Sequence, residues 1–283
     1  MKRILVPTDF STCANNAINF AVQSAKILPA EIFIIHAFEI KENMYTDYLG
    51  VNREFTQSQL DEVQYKLSQV KSSIVETEGI SVTVMTVKEA LTEAILRTTS
   101  ELKIDMIVMG TLGANMIKEK VLGTKTAEII GKTKVPVIAI PFEYEWKKPQ
   151  KFLSLTNHFE SDPVVLNFIL ELAGLYKAKV EVAVFTDTDE EDVSTLLGDT
   201  RNIEQYKKML EEQYKEEAVT ATHLFGAEFN RTIQTYIAEK QIDILVMVTH
   251  HRALWERILH PSMTKRMSQH IEIPLLAVPA LNH

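Results

Sequence analysis

The chain is written twice. Residues 103–141 (KIDMIVMGTLGANMIKEKVLGTKTAEIIGKTKVPVIAIP) align without a gap on residues 241–279 (QIDILVMVTHHRALWERILHPSMTKRMSQHIEIPLLAVP). Ile104 lies over Ile242, Asp105 over Asp243, Pro136 over Pro274 and Pro141 over Pro279, a constant offset of 138. The beginnings of the halves match at an offset of 148, RILVPTDF (3–10) over KFLSLTNH (151–158) and AINFAV (17–22) over VLNFIL (165–170). The second copy is therefore ten residues shorter in its middle, and the polar stretch beginning EIKENMYTDYLGVNREF is the natural place for the difference. A repeat of this period demands a fold made of two like units. A length of 283 residues suits one large domain or two of ordinary size, and the repeat selects two. The charged and aromatic run FEYEWKKPQ at about 142–150 marks the boundary, giving domains of 1–144 and 150–283.

Each copy alternates strand and helix signals. RILVPT is a short apolar run, and the next segment sets Ala14, Ala17, Ile18, Ala21, Val22, Ala25 and Leu28 on one helical stripe with Ser11 placed to cap it. EIFIIHAF, rich in β-branched and aromatic residues, reads as a strand. Helical composition over roughly 56–78 leads to the strand SVTVMTV, then a helix from about Leu91 to Leu102 leads to the strand DMIVMG. A helix around TKTAEII, stopped by Gly131, and a last strand VPVIAIP close the copy. Such alternation predicts an α/β fold, a parallel sheet covered by helices on both faces. Ligands of such sheets sit at the carboxyl ends of strands, near the switch in strand order.

That location holds GTLGANMIKEKVLGT, residues 110–124, where three of the nine glycines of the chain are gathered. Gly110 ends the fourth strand, Gly113 lies in the following loop, and Gly123 with Thr124 opens the next helix. Glycine lets backbone approach a ligand closely, and a helix N-terminus offers N–H groups and partial positive charge to an anion. Thr124 adds a hydroxyl, and Lys118, Lys120 and Lys125 add charge. Turns and helix packing would also account for any one of these glycines. Neither a GxxxxGK[ST] loop nor a GxGxxG fingerprint occurs.

The spacing Gly-x2-Gly-x9-Gly-Thr, the opening ILVPTDFS and the repeated five-strand alternation together resemble the universal stress protein family, over nearly the whole chain. The resemblance implies two tandem Rossmann-like (HUP-type) domains, each a five-stranded parallel sheet of order 3-2-1-4-5. It implies ATP, with or without Mg²⁺, across the ends of strands one and four. Carried over residue by residue, Asp9 would accept from the adenine amino group, with Pro7 and Thr8 shaping that end and Ala37 offering backbone to the base. Met109 and Gly110 would line the ribose and phosphate side. Gly113, Gly123, Thr124 and the amide of Lys125 would take the phosphates. Asp9 also has the simpler role of helping to begin a helix. The resemblance further implies that VPVIAIP and IPLLAVP pair within the chain as a pseudo-dimer, and it leaves open whether whole chains form a homodimer.

In the second copy Asp9 becomes Asn157, Gly110 becomes Val248, Gly113 becomes His251, and Gly123-Thr124 becomes Pro261-Ser262. Pro261 has no N–H to donate, so one nucleotide site per chain is expected. THHR (249–252), His260 and the acidic runs TDTDEED and EEQYKEEA read as solvated loop and helix faces. Cys13, the single cysteine, excludes an intrachain disulfide and reads as a small packed residue. A formal charge of −8 argues against nucleic acid and anionic membrane as partners. No signal peptide or membrane span is expected, and the cytoplasm is the simplest address. No general base, nucleophile or metal-carboxylate cluster stands beside the phosphates, so neither catalytic residues nor a metal site are assigned. The leading reading is a nucleotide-binding regulator or adaptor of a stress response. A slow Mg²⁺-dependent ATPase and a nucleotide-independent interaction protein stand as alternatives.

Overall fold

The apolar runs and amphipathic stripes become strands and helices in the expected order. The computed structural model describes residues 2–38, 51–111, 123–156, 159, 163–188, 193–214, 219–249 and 272–279. The first half comprises β1 (Lys2–Pro7), α1 (Thr12–Ala25), β2 (Ala30–Ala37), α2 (Val51–Glu78), β3 (Val82–Val87), α3 (Leu91–Glu101), β4 (Met106–Gly110), α4 (Thr124–Lys132) and β5 (Val137–Ile140). The second half comprises β6 (Lys151–Thr156), α5 (Pro163–Tyr176), β7 (Lys179–Asp187), α6 (Val193–Gln213), β8 (Val219–Gly226), α7 (Phe229–Lys240), β9 (Ile244–Val248) and β10 (Leu275–Val278).

Among the described residues these strands form one ten-stranded sheet of order β3-β2-β1-β4-β5-β10-β9-β6-β7-β8. Each half reads 3-2-1-4-5 and is parallel within itself. The halves join where β5 meets β10 antiparallel, Ile138 opposite Leu276, which removes two edges that would otherwise be open to uncontrolled pairing. The repeat is kept in the register itself. Ile4 pairs with Met106, and its counterpart Phe152 pairs with Ile244. Ile32 pairs with Val82, and its counterpart Val180 pairs with Val219. The shortening of the second copy therefore falls between its second and third strands, where α2 has 28 residues and α6 has 21.

Alternate strand residues face opposite layers. Ile4 and Val6 join a core with α1, α2, α5 and α6, while Leu5 joins a second core with α3, α4 and α7. The stripe expected on α1 is buried except for half-buried Ala25; Cys13, Phe20 and Ser24 are buried too, and Leu28 packs beyond the helix end. Two boundaries differ from expectation. The helix expected over 56–78 begins at Val51. Gly131 does not stop α4, which runs on to Lys132. The stop is Thr133, whose backbone turns extended (ψ 152) and whose hydroxyl accepts from Val135 N at 3.2 Å.

The seam between halves is fastened by specific groups. Tyr176 Oη, on α5, donates to Ser24 Oγ on α1 at 2.8 Å, both buried, and burial pushes the Tyr176 hydroxyl pKa up to about 12. The segment after β5 lies against both halves: Trp146 meets Phe20 edge-on at 5.1 Å, and Lys147 Nζ reaches Asp243 at 2.7 Å. Asp243 Oδ2 also accepts from Gln150 N at 2.8 Å and Lys151 N at 3.0 Å. Its first-half counterpart Asp105 accepts from Arg3 N at 2.7 Å, so an aspartate ahead of the fourth strand ties down the start of the first strand in both copies. Among the described residues no helix is long and apolar enough to cross a membrane.

Candidate functional site

Because β1 pairs with β2 on one side and β4 on the other, the strand order switches at the β1–β4 junction, and it is beyond the carboxyl ends at such a switch that α/β sheets form a ligand crevice. One wall is the turn from β1 into α1. Pro7 is buried and pairs with Ile35; Thr8 N donates to Ile35 O at 2.9 Å. Phe10 N donates to Thr8 Oγ1 and Ser11 N to Asp9 Oδ1, each at 3.0 Å. Ser11 caps α1 as expected, its Oγ accepting from Ala14 N at 3.2 Å. Asp9 stands exposed at the tip of this wall. The turn brings Pro7, Thr8 and Asp9 beside the end of β2, where half-buried Ala37 pairs with Val87.

The other wall is built on β4. Met109 is buried among apolar side chains, so it offers the crevice backbone only. Gly110 is explained by packing. A Cβ there would lie 2.7 Å from Cys13 Sγ and 2.9 Å from the Cys13 carbonyl carbon and oxygen. The missing side chain lets the first turn of α1 settle onto β4. In the second half Val248 occupies the counterpart position and is buried in the core. Gly123 is tied in as well: its N–H donates to Thr111 O at 2.6 Å, and Thr126 Oγ1 donates to Gly110 O at 3.0 Å. Its φ of −68° is open to any residue, so left-handed freedom is not what glycine supplies here.

What Gly123 does supply is an open helix end. It is the N-cap of α4 and has no side chain to bond the first-turn amides, and that turn carries no acidic residue. These N–H groups have no partner inside a helix. Thr124 and Lys125 are exposed beside them. Lys125 Nζ meets Glu128 Oε2 at 3.1 Å, and Glu128 also binds Lys132 at 2.8 Å; Lys132 first and Lys125 second hold its carboxyl pKa down at about 2. Gly113, Lys118 and Lys120 lie outside the described residues, as do Asn157, His251, His260, Pro261 and Ser262.

Three residues that sequence reading passed over stand against the first wall. His36 Nδ1 is 2.8 Å from Thr8 O, and its ring stacks on Phe10 at 4.9 Å and 22°. Lys66 Nζ sits 5.7 Å from the Phe10 ring centre. Phe10 has φ 61°, the left-handed region. Burial, the largest influence, lowers the His36 pKa. A lone histidine after the apolar run IFII, one residue before Ala37, was the available signal. Among the described residues no group of three or more His, Cys, Asp or Glu side chains is arranged to hold a metal ion.

Comparison with known proteins agrees with this architecture. A universal stress protein of Methanocaldococcus jannaschii is 29% identical over 154 residues, which are 49% of this chain and 94% of that protein. One from Thermus aquaticus is 28% identical over 145 residues, 49% of this chain and 98% of that protein. A solved universal stress protein of Archaeoglobus fulgidus matches over 98% of both chains with a TM-score of 0.69 at 15% identity, a likeness of fold. The family model described as "Universal stress protein family" matches residues 1–141 and again 150–279. The chain belongs to the universal stress protein family and carries its domain twice.

Proposed function

We propose that the first half binds one adenine nucleotide, ATP with Mg²⁺, across the ends of β1 and β4, and that the chain is a cytoplasmic regulator or adaptor in a stress response, not a dedicated enzyme. In this reading the halves are domains of 1–144 and 150–283. Asp9, Pro7, Thr8 and the Ala37 backbone receive the base; Met109 and Gly110 backbone line the ribose side; Gly113, Gly123, Thr124 and the Lys125 amide receive phosphate. Mg²⁺ would be held mainly by phosphate oxygens and water. The observation that carries the reading is the contrast between two helix N-termini at one crevice. That of α1 is closed by Ser11, whereas that of α4 is left without a cap by Gly123. An open N-terminus at the strand switch suits an anion. The second half has Val248 for Gly110 and Pro261 for Gly123, and Pro261 brings no amide to a phosphate.

One observation favours a different reading, an interaction protein that needs no nucleotide. Gly110 and Gly123 both have partners within the chain, Cys13 and Thr111. Calorimetric titration of nucleotide-stripped protein with ATP and Mg²⁺ separates the two. One site per chain, lost on Gly113→Val, is the expected result. Two sites would refute the degenerate second half, and no heat of binding would favour the interaction protein.

A further inference from the structure

The turn that carries Asp9 is held from outside by one side chain. The carbonyl of Thr8 can only accept, so His36 Nδ1, 2.8 Å away, must carry the proton. The neutral imidazole is therefore the Nδ1–H tautomer. The same ring lies flat on Phe10, the residue after Asp9, which holds a left-handed φ of 61°. Side chains rarely adopt that conformation without support, and such backbone clusters where a structure has something to position. His36 thus grips the residues on both sides of Asp9: the Thr8 peptide by a hydrogen bond and Phe10 by a stack.

At the same rung the second half carries different side chains. The rung that pairs His36 with Thr86 in β2–β3 pairs Val184 with His223 in β7–β8. Val184, the counterpart of His36, has no donor. His223 bonds Thr186 Oγ1 at 2.9 Å, and that hydroxyl donates to Asp199 at 2.7 Å, tying β7 and β8 to α6. The clamp on the first-strand turn occurs in the half that keeps Asp9 and the glycines.

We infer that His36 is a positioning residue of the crevice, fixing the Thr8–Phe10 turn so that Asp9 is presented to the base of the nucleotide. This rests on the nucleotide reading above. The charged groups facing the imidazole are Asp9 from the turn and Lys66 from α2, the latter paired with Glu62. A proton added to His36 keeps the bond to Thr8 but puts a cation beside Asp9.

The test compares ATP with inorganic tripolyphosphate, which has no base, on the full chain by calorimetry. His36→Ala is expected to weaken ATP binding about tenfold, the scale of one lost hydrogen bond, and to leave tripolyphosphate affinity within about twofold. His36→Asn, whose amide can replace the Nδ1–H donor, is expected to restore most of the loss. Phe10→Gly, which tolerates the left-handed backbone but removes the stack, tests the second grip and is expected to weaken ATP alone. Equal losses for ATP and tripolyphosphate in His36→Ala would mean general damage and overturn the positioning role. Undiminished ATP affinity in that variant would overturn it as well. If the unsubstituted protein binds tripolyphosphate but not ATP, or neither, the nucleotide reading fails first and the role of His36 falls with it.

Discussion

Gly110→Ala adds one carbon where the fold leaves no room for it. The new Cβ would stand 2.7 Å from Cys13 Sγ and 2.9 Å from the Cys13 carbonyl carbon and oxygen. Non-bonded carbons rest about 3.5–4.0 Å apart, so α1 must lift by roughly half an ångström to one ångström. It is poorly free to do so: Cys13 Sγ donates to Ile140 O at 3.3 Å, and farther along the helix Ser24 is bonded to Tyr176. Overpacking of a core costs about 1–3 kcal/mol. We place this substitution near the upper end, about 3 kcal/mol, because two of the three crowded atoms are backbone. At roughly 2–4 °C per kcal/mol for a large domain, the melting temperature should fall by about 6–12 °C. Urea unfolding followed by circular dichroism should show a lower midpoint with an unchanged slope. Adding Cys13→Ala removes the sulfur contact and leaves both backbone contacts, so less than half of the loss should return. A Gly110→Ala protein within about 0.5 kcal/mol of the parent, or full rescue by Cys13→Ala, would refute the packing account of this glycine.

The seam makes its own demands. Tyr176→Phe leaves Ser24 Oγ buried without its donor and should cost about 1–3 kcal/mol, while the double variant with Ser24→Ala should cost less than the two single losses together in a denaturation cycle. Asp243→Ala strips two backbone amides and Lys147 of their acceptor at a buried site, so it should destabilise by about 2–4 kcal/mol. Asp105→Ala, at the exposed counterpart, should cost about 1 kcal/mol; equal losses in thermal melts would refute the distinction. Burial lowers the pKa of both His36 and His223 in the folded chain. The unfolded chain therefore takes up protons first as pH falls below about 6.5, and stability should decline from there until the folded-state pKa values are passed. Replacing both histidines with Asn should flatten the melting temperature over that range, and an unchanged acid slope would count against the assignment.

How much of this was legible in residue order can be judged at particular positions. The repeat, its offsets and the strand–helix alternation are properties of local pattern, and each reappears as a register: Ile4 with Met106, Phe152 with Ile244. Burial periodicity is short-range, which is why the stripe on α1 could be read from spacing alone. Helix ends were less legible. Gly131 looked like a terminator, but the flanking Ile129 and Ile130 are buried and hold the turn in place, and that is a tertiary effect. The candidate site was legible as a cluster of residue types. The packing role of Gly110 was not.

Sequence by itself determined two α/β units in tandem and the loss of the glycines from the second, because these follow from pattern and alignment. Tertiary structure decided what each residue meets. Only the approach of α1 to β4 shows that Gly110 makes room for Cys13. Only the strand register brings His36 beneath the Thr8 carbonyl and shows that its counterpart in the other half is a valine. Only the seam places Tyr176 on Ser24, across 152 residues of chain. Contacts between residues distant in sequence leave no periodic trace, and they are set by how finished elements pack.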